Sequence, residues 1–389
     1  MRVYFYTGSF THTLYREQVY ALPESVELVP SSPELRSRGM KSDIASQGSD
    51  RSRAMRSAKT MLLRRLVRLG VPNLRYVRAP MVDLIHSAQY PILNRRPWVV
   101  DFEDASVFAW YDPVNLRRRR LKQLLQRTFA APSCRALLPW TRAARASLEH
   151  AIDCSVFAHK IRVVYPAIRP RRTTVPAPMR NTLNLLFIGT AFFEKGGLEL
   201  LEAFRRLDAG DRIRLNVVSR VPEQVRTRYA AVRGVSFHTA IAPLELERLY
   251  AEADLLVAPF HTDTFGFVLL EAFAHGIPCI VADHFAAPEI VTHGMTGLVV
   301  PNYLSRFDAQ GLPAYSLLDD SAQRFRTLLE SPPGEYVDRL AAAIDALASD
   351  SHRRREMARA ALHEVLEGRF SLTARRRAMA DVYEAALTS

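Results

Sequence analysis

The sequence has little of what marks stapled, metal-held or membrane-spanning chains. Its three cysteines, Cys134, Cys154 and Cys279, fall at spacings that suit neither a disulfide framework nor a metal site, which points to a reducing compartment. No run of about 18 apolar residues occurs, so no segment reads as a membrane span. The opening MRVYFYTGSFTH has too short an apolar run for a secretory leader and lacks a small-residue cleavage site, so it reads as a first strand. Glycine is sparse, 16 residues in 389, which excludes a Gly-rich low-complexity chain. Neither a Walker phosphate loop nor a Gly-x-Ser-x-Gly elbow is present. His275, His284 and His293 recur at a period that no helix or strand brings to one face, and no metal site is expected.

Acid is in short supply as well. Against 53 Lys and Arg stand 40 Asp and Glu, a net charge of +13 that predicts an anionic partner. The excess is local: residues 1–179 hold 30 basic and 13 acidic side chains, residues 180–389 hold 23 and 27. The basic stretches are Ala54–Arg68, which has the periodicity of an amphipathic helix, and Arg117–Arg120. Aromatic residues are not interleaved with these arginines as a base-stacking platform requires, which counts against nucleic acid. A cationic amphipathic face suits an anionic membrane surface better.

Hydrophobic residues make up 48% of the chain, the profile of a folded protein, and the length suits two or three domains of roughly 150 residues. A polar stretch, Ser31–Arg53, reads as a long loop. Short apolar runs such as VDLIHS, PWVVDFE, CRALLPW and IRVVYP then alternate with helical patterns, which implies parallel βαβ units. The Pro- and Arg-rich Pro166–Thr182 marks the change of domain. Beyond it the alternation restarts with LNLLFIG and runs through RLNVVS, DLLVAPF, IPCIVAD and GLVVP to amphipathic C-terminal helices. Two α/β units in tandem are predicted.

The chemistry concentrates in Pro259–Pro301. A strand ends at Phe260, a loop carries Asp263, Phe265 and Gly266, and a helix follows with Glu271 near its start. Gly266 lets backbone approach a ligand, and the amides of Phe267, Val268 and Leu269 at a helix N-terminus suit a diphosphate. Glu271 can accept bonds from a ribose diol, with Asp263 across the ligand. A second Gly turn, FIGTAFFEKGG, places Gly189, Thr190 and Lys195 between a strand and a helix, where an ammonium would meet a phosphate.

An acidic residue, seven intervening residues and Glu, wrapped around Phe265-Gly266 and followed by LEAFAHGIP, resembles the retaining glycosyltransferases of family 4; PEIV and HGMTGLVVP extend the likeness. The resemblance implies a GT-B fold: an α/β protein of two Rossmann-like domains facing a cleft. It implies a metal-independent, retaining transfer from a nucleoside-diphosphate sugar, which is a co-substrate and not a cofactor, to a glycan or lipid-linked acceptor. Asp263, Lys195 and Glu103 would then be catalytic, and Gly189, Thr190, Phe265, Gly266, Phe267, Val268, Leu269 and Glu271 donor-binding. Gly8, Ser9 and His86 are acceptor-side candidates. Three positions depart from the family pattern: Thr190 stands for Arg, Asp263 for Glu and Glu103 for His. They leave a catalytically silent nucleotide-sugar-binding subunit as one alternative; a nucleotide-sugar epimerase, which can share the fold, is another. The expected boundaries are 1–172 for the acceptor domain, 173–182 for the linker and 183–365 for the donor domain, with an insertion at 302–334; helices in 366–389 would pack back on the first domain. A cytoplasmic protein, peripheral at the inner face of the membrane, is expected.

Overall fold

Runs of apolar residues too short for helices pair edge to edge into two wholly parallel sheets. The computed structural model describes residues 1–8, 13–32, 69–175, 182–207, 212–315 and 321–388. Strands β1 (Arg2–Tyr6), β2 (Glu27–Pro30), β3 (Leu84–Ala88), β4 (Trp98–Phe102) and β5 (Cys134–Pro139) form the first sheet in the order β2-β1-β3-β4-β5. Strands β6 (Leu183–Gly189), β7 (Ile213–Ser219), β8 (Val235–His238), β9 (Leu255–Ala258), β10 (Cys279–Ala282) and β11 (Gly297–Val300) form the second, ordered β11-β10-β9-β6-β7-β8. Strands β3, β4, β9 and β10 are buried at every position, as in sheets covered on both faces.

The order of each sheet fixes where a ligand can sit. Connections leave in opposite directions between β1 and β3 in the first sheet and between β6 and β9 in the second, and such switch points open a crevice beyond the carboxyl ends of the strands. Strand β6 runs into the turn that carries Lys195, and β9 into the loop with Asp263 and Gly266. Two motifs about 70 residues apart in sequence are therefore neighbours in space.

The C-terminal helices divide between the domains. Gly334–Ser349 packs on the second, its Val337, Leu340 and Ile344 in one cluster with Leu200 and Phe204. Leu372–Thr388 returns to the first, where Met379, Val382 and Tyr383 pack on Val3, Leu84, Val99 and Leu138. Arg375 Nη1 donates to Tyr165 O at 2.8 Å on the same face. The crossing expected for 366–389 is present.

The domains also meet directly. Trp140, just beyond β5, packs edge-on against Phe265 with ring centroids 6.2 Å apart. Glu289 of the second domain caps the first-domain helix Arg142–Ala151: its carboxylate accepts from Arg142 N at 2.8 Å, Ala143 N at 3.1 Å and the Tyr165 hydroxyl. Arg169 Nη2 pairs with Glu17 at 2.8 Å and Arg171 N donates to Ala274 O at 2.8 Å, so the arginines before the linker are held by both domains. Of the expected linker 173–182, residues 176–181 lie outside the described residues, as do Ser9, the basic segment Ala54–Arg68 and most of Ser31–Arg53. The expected insertion reaches the first domain through Gln310 O, 2.9 Å from His150 Nδ1, and carries the helix Ser321–Leu329. All three cysteines are buried and unpaired. No described helix is long and apolar enough to cross a membrane.

Candidate functional site

Lys195 is placed by two glycines. At Gly189, the end of β6, an added Cβ would lie 2.6 Å from Lys195 Cγ, so only glycine lets the lysine stem cross the strand end. At Gly196, with φ +79°, a Cβ would lie 2.2 Å from Pro259 O, so the turn after β6 rests directly on the backbone after β9. The Lys195 ammonium is thereby brought onto the Asp263 carboxylate and lies 5.6 Å from the centre of the Phe260 ring. Burial pulls its pKa down to about 8, against the opposing pull of Glu103 and Glu194. Thr190 is exposed and contributes no charge.

The β9 loop turns into its helix at Gly266, whose φ of +71° is left-handed; a Cβ there would meet the Phe260 ring at 2.8 Å. The helix spans Phe267–Ala274, so Glu271 lies beyond its first turn. One sequence expectation is corrected here. The Leu269 amide donates to Gly266 O at 2.8 Å and its side chain is buried in the core, so Leu269 shapes the turn and its amide is not open to a ligand. Phe265 is buried against Trp140, so its ring ties the loop to the other domain.

Glu271 is held by a residue that the sequence did not flag. Tyr250 Oη donates to Glu271 Oε2 at 2.8 Å, and the Tyr250 ring stacks on His275 at 4.9 Å, which is itself 3.0 Å from Glu247. Glu271 Oε1 accepts no bond from a described residue. Burial raises the Glu271 pKa to about 7, opposed by the Tyr250 hydrogen bond.

From the first domain comes Glu103, just past β4. The Tyr111 hydroxyl lies 2.7 Å from both Glu103 Oε1 and Gln89 Oε1, and Thr264 of the β9 loop donates to Glu103 Oε2 from across the domain boundary. Tyr111 and Gln89 both have positive φ, +58° and +65°, the local strain common where a side chain is held for function. Gly8, with φ +69°, lies two residues past β1 against Tyr90, where a Cβ would approach the ring to 3.0 Å. His86 is elsewhere. It is buried within β3, with Nδ1 2.7 Å from Tyr383 Oη and Nε2 3.3 Å from Asp101, under the returning C-terminal helix. The expectation that a strand-end histidine reaches the cleft is therefore corrected: its position in the strand turns it toward helix Leu372–Thr388. His275, His284 and His293 go to separate partners, Glu247, Ser305 and Val299 N.

The structure thus brings Lys195, Asp263, Gly266 and Glu103 together and sets Glu271 one helical turn further in. A cation and the start of a helix can hold a phosphate, and a half-buried carboxylate deeper in can accept from paired hydroxyls.

Solved structures place this architecture in the GT-B fold. A glycosyltransferase from Rickettsia africae aligns with 100% of this chain and 98% of its own at TM-score 0.63 and 14% identity. Anabaena HepE in complex with UDP and glucose aligns with 99% of this chain and 100% of its own at TM-score 0.60 and 14% identity. Residues 182–310 match the family model Glycosyl transferases group 1. Among curated relatives, an uncharacterized 41.2 kDa protein in the cps region of Klebsiella pneumoniae is 26% identical over 159 residues, 39% of this chain and 44% of that protein. A D-inositol 3-phosphate glycosyltransferase from Corynebacterium aurimucosum is 36% identical over 92 residues, 24% of this chain and 21% of that protein. The chain thus spans less than half the length of these curated relatives.

Proposed function

We propose that this protein is a retaining glycosyltransferase that moves a sugar from a nucleoside-diphosphate sugar to a hydroxyl of a glycan or lipid-linked acceptor, in the synthesis of an envelope polysaccharide or glycolipid. The observation that carries the reading is the convergence of Lys195, the Gly266 helix start and Glu271 at the switch point of the second sheet. The group 1 match over 182–310, the relative in a cps region and the UDP complexes of HepE support it. So does the fold shared with WaaG, a glycosyltransferase involved in lipopolysaccharide biosynthesis, at TM-score 0.54 and 16% identity.

In this reading Glu271 holds the ribose diol, while Lys195 and the helix start hold the diphosphate. Asp263 and Glu103 take hydroxyls of the sugar, and Glu103 also faces positive charge developing at the anomeric carbon. The bond from that carbon to the phosphate oxygen breaks. The acceptor oxygen bonds to the same face, and its proton passes to the departing phosphate oxygen. No protein nucleophile and no metal ion are needed. Lys195 must exchange its contact with Asp263 for the phosphate, which frees the aspartate for the sugar. We place the enzyme in the cytoplasm, with its basic first domain toward an anionic membrane face.

The test is sugar transfer in a membrane extract by wild type and Glu271→Ala: loss of transfer in the variant is expected, and unchanged transfer would refute the assignment. Incubation of the donor without acceptor separates the epimerase alternative, for which an epimerised sugar would speak.

A further inference from the structure

Arg306 lies in the segment after β11, yet it is one of the most enclosed charges in the molecule. It is 5% exposed, and its Nε and Nη2 are buried without any hydrogen-bond partner. A buried guanidinium with unspent N–H groups is costly unless an anion meets it. The side chain is not loosely placed. Arg306 N donates to His261 O at 2.8 Å, on the loop that carries Asp263 and Gly266, and Ala314 N donates to Arg306 O at 2.7 Å. Its guanidinium carbon lies 5.5 Å from the centre of the Phe307 ring.

The surroundings locate it. The Phe307 ring beneath it packs against His284, just past β10, with centroids 5.6 Å apart; burial above all, then His261, Lys195 and Arg306, holds that imidazole uncharged, its pKa brought down to about 3. His284 Nε2 is itself buried and unpartnered. Arg306 also acts on Asp104, next to Glu103, but makes no hydrogen bond or ion pair with it. Arg306 thus lies against the loop that carries Asp263 and beside the end of β10.

We propose that Arg306 is a second phosphate-binding residue, which meets the diphosphate of the nucleotide sugar with its unspent Nε and Nη2 alongside Lys195. This rests on the function proposed above and names a residue of the segment 302–334 as part of its donor site. A guanidinium fork matches two phosphate oxygens at once. The competing role is an ion pair across the domain boundary with Asp104, formed when the domains close.

The experiment titrates the full chain and its Arg306→Ala, Arg306→Gln, Asp104→Asn and Glu271→Ala variants with UDP, GDP, ADP and TDP, and with the matching monophosphates, by calorimetry. Circular dichroism melts of each ligand-free variant check folding, and Arg306→Gln carries the test if the alanine variant does not fold. Loss of charge-assisted bonds at Arg306 should weaken the bound diphosphate about 10- to 100-fold and its monophosphate less than about 3-fold, while Asp104→Asn leaves the diphosphate affinity intact. Equal losses for both nucleotides, no loss, or the same loss in Asp104→Asn would overturn the proposal. Binding of a diphosphate that depends on Glu271 but not on Arg306 sinks this inference alone; binding of no diphosphate by wild type sinks the functional reading with it.

Discussion

At the scale of single residues, the site is built from charges held in uncomfortable places. Glu271 carries a pKa raised to about 7 by burial, with a Tyr250 hydroxyl to steady the ionised form. A carboxyl raised in the fold is more stable protonated. Its contribution is fully present below the ordinary value of 4.5 and is lost as pH climbs through about 7. Ligand binding runs the other way, because a ribose diol donates to the carboxylate. If only the ionised form binds, affinity for a nucleoside-diphosphate sugar should fall about 15-fold between pH 7 and pH 5.5. Calorimetric titration across that range checks this, and a flat profile would count against it. Tyr250→Phe removes the bond that favours ionisation, so the midpoint of the same profile should move to higher pH. Lys195, pulled down to about 8 by burial, is set to lose its charge at the alkaline end. Binding should therefore weaken again above that pH, giving a bell-shaped dependence.

At the scale of elements, two turns do most of the positioning, and both rely on glycine in left-handed geometry. Gly196 and Gly266 have φ of +79° and +71°, and each would drive a Cβ into its neighbour, Pro259 O or the Phe260 ring. Gly266→Ala should cost at least about 1–2 kcal/mol for the backbone alone and should weaken nucleotide binding by shifting the helix start. Thermal melts with and without nucleotide separate the two effects; a variant with unaltered melting and binding would contradict the assigned role of the turn. Much of this was legible in the sequence. Gly turns between apolar runs marked both loops, and the spacing of Asp263, Gly266 and Glu271 marked the candidate site. What the sequence could not give is long-range pairing. Tyr250, Trp140 and Arg306 sit in unremarkable local patterns and become part of the site only through contacts 20 or more residues away in the chain, and Tyr111 joins it through Glu103, 8 residues away, and Gln89, 22 away. His86 misled for a related reason: its place in strand β3 was visible, but the helix that returns to cover it was not.

At the scale of the whole molecule, the two sheets are joined by a shared apolar cluster and by specific polar contacts. Trp140 on Phe265, the Thr264 hydroxyl on Glu103 and Glu289 on the amides of Arg142 and Ala143 all run from one domain to the other. Glu289 is thereby a cap supplied in space by the other domain. Glu289→Gln should lower stability by about 0.5–2 kcal/mol, the range for losing a helix cap, and should leave the nucleotide contacts of the second domain in place. A melt combined with nucleotide titration checks both halves of that statement. The sequence divided the charge correctly between a basic first half and a slightly acidic second half. The structure refines this: the cations at the proposed donor site, Lys195 and Arg306, both belong to the acidic half.

In the proposed function, the switch point of the second sheet holds a nucleoside-diphosphate sugar through Glu271. The most direct measurement is a thermal-shift screen of wild type and Glu271→Ala against UDP, GDP, ADP and TDP and their sugars, since a ligand that binds only the folded state raises its melting temperature by mass action. One nucleotide family is expected to raise the melting temperature of wild type and to lose that effect in Glu271→Ala. No shift in wild type, or an equal shift in both proteins, would contradict it.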